Sequence, residues 1–133
     1  MINLKSKLTA LFAAVAFTLA ACGGGSGPGA VYTDLMKLVE KGEVDKAAEH
    51  IHIEPEVALI INEQKLKSIL AKGTEEFAER GGIKKIKILE ENIDGVTASI
   101  RAETHMGDGS KETDEVSFIK IDGEWKMKLD MNM

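Results

Sequence analysis

Few side chains in this sequence have the type and spacing for metal or acid–base chemistry. His50, His52 and Glu54 form a His-x-His-x-Glu string, and two imidazoles with a carboxylate suit zinc when all three reach one centre. That spacing works only on an extended strand. On a helix, facing pairs stand three or four residues apart and residues two apart diverge. The stretch reads as helical, so the expectation is a solvated helix end with His50 outward and no bound metal. His105 falls on the polar face of a strand beside Glu103, with no clear pocket around it. No serine sits in a nucleophile-elbow pattern, and no Gly-rich phosphate loop follows a strand. The single cysteine, Cys22, leaves the folded part without a disulfide framework. The expectation is therefore a chain with no catalytic residues, no cofactor and no enzymatic activity.

The setting of Cys22 gives that thiol a different chemistry. Lys5 and Lys7 precede an apolar run from Leu8 to Ala21, and residues 1–21 hold no acidic side chain. This is the layout of a secretory signal, with a run short for the roughly 20 residues of a membrane span. Leu19-Ala20-Ala21-Cys22 resembles the lipobox of bacterial lipoproteins. The resemblance implies a diacylglycerol on the Cys22 thiol, cleavage before Cys22, and acylation of the new amino terminus, as with palmitate. Two or three acyl chains anchor where one cannot, at about 0.8 kcal/mol per buried CH₂. An ordinary signal peptide with an incidental cysteine, or a retained apolar anchor, are the alternatives. The implied location is the cell membrane, lipid-anchored. Gly23 stands where aspartate retains enteric lipoproteins in the inner membrane, so the expectation is a periplasm-facing outer-membrane site in a Gram-negative cell.

Charge narrows the partners. The chain carries 17 basic and 22 acidic residues; losing Lys5 and Lys7 with the signal leaves 15 basic, a formal net charge of −7. Such a surface repels phosphate backbones, which argues against nucleic acid.

Three segments follow from this reading: a signal over 1–21, a lipidated cysteine with a Gly-rich tether over 22–29, and one domain over 30–133. The domain begins helical. Val31, Leu35, Leu38 and Val39 form one stripe that Gly42 can close, and Val44, Ala47, Ala48 and Ile51 repeat the spacing in a second helix ended before Pro55. Val57 to Ile61 is a continuous apolar run, expected to be buried. A third helix carries Leu66, Ile69, Leu70 and Phe77, with Asn62 as N-cap and Gly81-Gly82 as its stop. The period then changes to two. Asp94-Gly95, Asp108-Gly109 and Asp122-Gly123 punctuate four strands, 83–93, 96–106, 110–121 and 124–131, as tight hairpins. In the second strand Val96, Ala98, Ile100, Ala102, Thr104 and Met106 alternate with polar residues, giving one buried and one wet face. The fold class expected is α+β, with N-terminal helices packed on a four-stranded antiparallel meander.

The segments Glu40 to Ala48, Gly81 to Leu89 and Asp122-Gly123-Glu124-Trp125-Lys126 resemble those of small bacterial lipoproteins carrying a lumazine-binding-like domain of unknown function. The resemblance implies the nuclear transport factor 2-like, or cystatin-like, fold, whose sheet curves around a conical cavity. Lining candidates here are Ala98, Ile100, Ala102, Phe118, Trp125 and Met127, joined by Ile86, Ile88 and Leu129. All are apolar, so the isomerase or dehydratase chemistry of some relatives does not carry over. Ala98 and Ala102 leave room either for a small apolar ligand or for the bulk of Phe77 or Trp125. Three functions remain open: a monomeric, tethered domain binding an unknown envelope protein; a small-molecule carrier or enzyme using the cavity; and a structural lipoprotein docking through Val57 to Ile61.

Overall fold

The computed structural model describes residues 27–129; the leader and the Leu19–Cys22 box lie outside them. The elements in chain order are α1 (Pro28–Lys41), α2 (Val44–Ala48), β1 (Ile51–Ile53), α3 (Pro55–Ala58), α4 (Glu63–Glu79), β2 (Ile83–Asp94), β3 (Thr97–Met106), β4 (Lys111–Ile121) and β5 (Glu124–Leu129). The strands form one five-stranded mixed sheet in the order β1-β5-β4-β3-β2, not the expected four-stranded meander. The addition is β1. Ile51 follows Ala47 at helical spacing, yet it pairs in parallel with Met127, as Ile53 does with Leu129. A ladder to a partner remote in sequence decides the conformation of so short a segment, and local period carries no trace of it.

α1 begins at Pro28, a residue suited to the first helical position, so Pro28 and Gly29, read from sequence as the end of a tether, are helical. Its N-cap, Gly27, has no side chain to cap with. Glu91 on β2 does that work from a distance, its Oε2 accepting the Gly29 N–H at 2.8 Å. A carboxylate here complements both the unpaired amides and the positive end of the helix dipole. Glu91 reaches the helix because β2 shifts register between Ile88 and Glu90: Ile86, Ile88 and Glu91 stand opposite Thr104, Ala102 and Ile100. At the other end of α1, Glu40 Oε2 accepts the Ile83 N–H at 2.8 Å. The helix thus lies along β2 with its N-terminus toward the β2–β3 turn.

The core has two lobes. Val31 and Tyr32 of α1 pack on Ala98, Ile100, Ala102, Phe118 and Trp125. Leu35 and Val39 of the same helix pack with Ala47, Ile51, Val57, Leu66 and Leu129, and Met127 touches both lobes. Trp125 therefore lies beneath α1. The long helix α4 packs on α1 and α2 and sends Leu66 to the second lobe, while Ile69 is exposed. The apolar run after Pro55 also divides. Val57 is buried, but Leu59 is 88% and Ile60 61% exposed, because a one-turn helix turns only one of its sides to the core.

The three Asp-Gly pairs make three different turns. Asp122 and Gly123 both adopt positive φ, 52° and 83°, the type I′ geometry the dipeptide favours. In the first hairpin Asp94 pairs with Thr97, so the turn residues are Gly95 and Val96, and Val96 is no longer part of the buried strand face. The middle turn runs through Gly107, Asp108 and Gly109, closed by the Met106 N–H on the Ser110 carbonyl at 2.8 Å. It docks on the end of α4: the Gly107 N–H donates to the Gly82 carbonyl at 2.8 Å and the Asp108 N–H to that of Arg80 at 2.9 Å.

Candidate functional site

The β1 edge of the sheet and two helices enclose an open cleft of about 500 Å³, lined by Asp45, Ala48 and Glu49, by Ile51, His52 and Ile53, and by Glu63, Leu66 and Lys67. β1 supplies the floor. α2 and the first turn of α4 supply the walls, the latter fixed by Asn62, whose side chain accepts the Lys65 N–H at 2.8 Å. Lys67 stands between two carboxylates, its Nζ 3.2 Å from both Asp45 Oδ1 and Glu63 Oε1. Its hydrogen bonds to Asp45 and then Glu63 push the ammonium pKa up. The cleft is apolar at its base and predominantly acidic at its rim, with Leu59 and Ile60 exposed on the connection from α3 to α4.

His52 enters this cleft on an extended strand, the conformation that the His-x-His-x-Glu spacing requires. Its Nε2 lies 3.6 Å from Glu54 Oε2, and Glu54 also faces Lys128, Oε1 to Nζ 3.7 Å. His50 does not join them; its carbonyl accepts the Met127 N–H at 2.8 Å. Among the described residues no three His, Cys, Asp or Glu side chains converge as metal ligands. His105 is paired rather than free, its Nε2 2.7 Å from Glu103 Oε1. This hydrogen bond holds the Glu103 carboxyl below its usual range.

The residues expected to line a central cavity form the first core lobe. Ala98, Ile100, Ala102, Phe118 and Trp125 are buried, with Met127 at the lobe boundary. Val31 and Tyr32, together with Trp125, pack with the two alanines, where the sequence reading left room for a small apolar ligand or for the bulk of Phe77 or Trp125. None of these residues lines the cleft.

A family model described as a domain of unknown function, DUF4878, matches residues 20–128. This chain belongs to the DUF4878 family. No curated protein matches the DUF4878 chain in sequence, but solved structures do in fold. A Campylobacter jejuni protein provisionally described as an NTF2-like transpeptidase superposes with a TM-score of 0.65 at 22% identity, over 79% of this chain and 100% of its own. RPA3114 of Rhodopseudomonas palustris, described as containing a SEC-C motif, gives 0.53 at 15% identity, over 84% and 88%. The fold is NTF2-like.

Against that fold, the DUF4878 domain carries a polar cluster on the helix-covered side of the sheet, of which the sequence reading placed only Thr104. Tyr32 is 4% and Thr104 1% exposed, and Asp114 stands opposite Ala102 in the row shared with Phe118 and Val116. Burial first, and then the Asp114 charge, push the Tyr32 phenol up; the Thr104 hydroxyl works against this. Asp114 is exposed at its edge of the sheet, and partial desolvation, then the Glu112 charge, push its carboxyl up. Among the described residues Thr104 Oγ1 has no partner at full hydrogen-bond geometry, so its contact with the Tyr32 hydroxyl is a loose one. Tyr32 is the only tyrosine and lies beside Val31 at the edge of the first helical stripe. That was the available signal; the register that brings Asp114 to it had none. The cleft does not reach this group.

Proposed function

We propose that this DUF4878 domain is a lipid-anchored, non-enzymatic binding module of the cell envelope, akin to small lipoproteins with lumazine-binding-like domains. Cys22 is the anchor, and the protein is a monomer facing the periplasm from the outer membrane where the cell has one. The family match takes in Ala20, Ala21 and Cys22, which supports treating the Leu19–Cys22 box as part of the protein's design. The observation that carries the binding role is the cleft, with Leu59 and Ile60 exposed on the α3–α4 connection that leads to its Glu63 wall. Its apolar base, its Asp45, Glu49 and Glu63 rim and the neighbouring exposed side chains suit a segment that is both cationic and apolar, supplied by another envelope protein. The cleft lining has no serine, threonine or cysteine, so the acyl-transfer nucleophile that a transpeptidase needs is missing from it.

Two measurements test the proposal. Metabolic labelling with a fatty acid should mark the wild-type protein and not Cys22→Ser; label on the Ser variant would remove Cys22 as the anchor. Native co-purification of the detergent-extracted protein with mass spectrometry should recover a partner that Leu59→Asp/Ile60→Asp loses. Identical recoveries from both proteins would refute the binding face.

A further inference from the structure

We infer that the β2–β3 hairpin tip, Ile93 to Val96, rests in the headgroup layer of the membrane that holds the lipid. The domain then stands with its long strands rising from the bilayer. The inference builds on the proposed anchor at Cys22. Its own ground is where the chain enters the fold. Glu91 holds Gly29 at the start of α1, and a Cβ at Gly27 would lie 3.5 Å from the same carboxylate oxygen. Because Glu40 binds Ile83 at the other end of the helix, Gly27 and Pro28 stand at the end of α1 nearer the β2–β3 turn.

The available length turns this direction into a constraint. Six residue steps separate Cys22 from Pro28, a reach of roughly 20 Å when fully extended. From Glu91 to Asp94, where the strand ends and the chain turns, the hairpin extends roughly 10 Å at about 3.3 Å per residue. The tip therefore projects beyond the start of α1 by less than the reach of the chain from Cys22, so a bilayer holding that lipid lies within range of the tip. The tip is shaped for that contact. Ile93 is 49% and Val96 59% exposed, and a Cβ added at Gly95 would meet nothing within 4 Å. The β4–β5 turn ends at the same level, since the Lys120 N–H donates to the Val96 carbonyl at 2.7 Å. That end bears Asp94, Asp122 and Glu124 against Lys120, so its attraction to lipid is apolar and not electrostatic.

The lipid on Cys22 leaves an engineered thiol as the sole reactive one. Full-length lipidated Val96→Cys and Lys111→Cys are labelled with an environment-sensitive fluorophore and reconstituted into phosphatidylcholine vesicles; Lys111 pairs with His105 at the opposite end of β3. The label at 96 should blue-shift, brighten several-fold and be quenched by doxyl lipid, and the label at 111 should do none of these. Hydrogen exchange on the unsubstituted protein should show amides 94–97 protected on vesicles relative to detergent, with 107–110 unchanged. Replacing part of the lipid with phosphatidylglycerol should weaken the signal at 96. Flotation with both labels in water, equal responses at 96 and 111, or a response that grows with anionic lipid would each overturn the orientation while leaving the anchor intact. Loss of flotation would overturn the anchor and the orientation together.

Discussion

Replacing Glu91 by alanine should destabilise the domain through a contact that no local sequence pattern announces. The substitution removes the acceptor that holds the Gly29 N–H at 2.8 Å and leaves the first turn of α1 without a side-chain cap. A hydrogen bond to a charged group contributes about 1.5 to 3 kcal/mol, and a cap about 0.5 to 2 kcal/mol. These figures describe one contact and are not added. Glu91 is an exposed residue, so solvent keeps the loss near the lower end, about 1 kcal/mol, or roughly 4 to 8 °C in Tm for a domain this size. Thermal unfolding followed by the emission of Trp125, the only tryptophan, reads it directly. Glu90 is the internal control: its carboxylate pairs with Arg101 at 3.2 Å on the exposed face, an interaction of a kind that contributes little. Glu90→Ala should leave Tm almost unchanged. Equal Tm values for Glu90→Ala and Glu91→Ala would refute the distant cap.

Trp125→Ala should cost about 3 to 5 kcal/mol, since the ring is buried with Val31, Tyr32 and Phe118; an unchanged urea midpoint would place the indole outside the core. Gly107→Ala should reduce the yield of folded protein, because a Cβ there would overlap the Gly81 carbonyl oxygen; circular dichroism of a normally folded variant would contradict the close approach. For Asp114 the folded-state pKa is raised, so ionisation is costlier in the folded than the unfolded state and this penalty appears as pH rises. Asp114→Asn should therefore raise Tm at neutral pH, with the gain vanishing below the ordinary aspartate value of about 3.9; a gain independent of pH would exclude this cause. Sedimentation of the lipid-free domain at micromolar concentration should show a monomer, because Arg101, Glu103 and His105 on the outer sheet face would be costly to desolvate; a dimer dissociated by Arg101→Ala would show the opposite.

What the sequence made legible depended on whether the determining partner was near in the chain. The stripe of Val31, Leu35 and Val39, the Asn62 cap and the alternation from Ala98 to Met106 are local, and each appears where its pattern indicates. Ile51 to Ile53 could not be read in the same way, because Ala47, Ala48 and Ile51 satisfy a helical period and only β5 makes them strand. Glu91 looks like a solvated strand residue until the register shift beyond Ile88 turns it toward α1. The Asp-Gly pairs marked where the chain reverses but not how, since Lys120 and Val96, or Gly82 and Gly107, settle turn geometry from outside. The cleft depended on β1, so its lining was not assembled from sequence, although His52 had been singled out.

The placement of β1 also dictates an order of assembly. β5 lies between β4 and β1, so residues 51–53 have no strand to join until residues 124–129 have been added to the growing meander. Until then Leu35, Val39, Ala47 and Val57 lack Leu129 and Met127 as packing partners, and closing that long loop carries an entropic cost that the ladder can offset only once β5 is in place. The helical half of the chain is consequently held open, unable to complete its lobe of the core, through most of its synthesis.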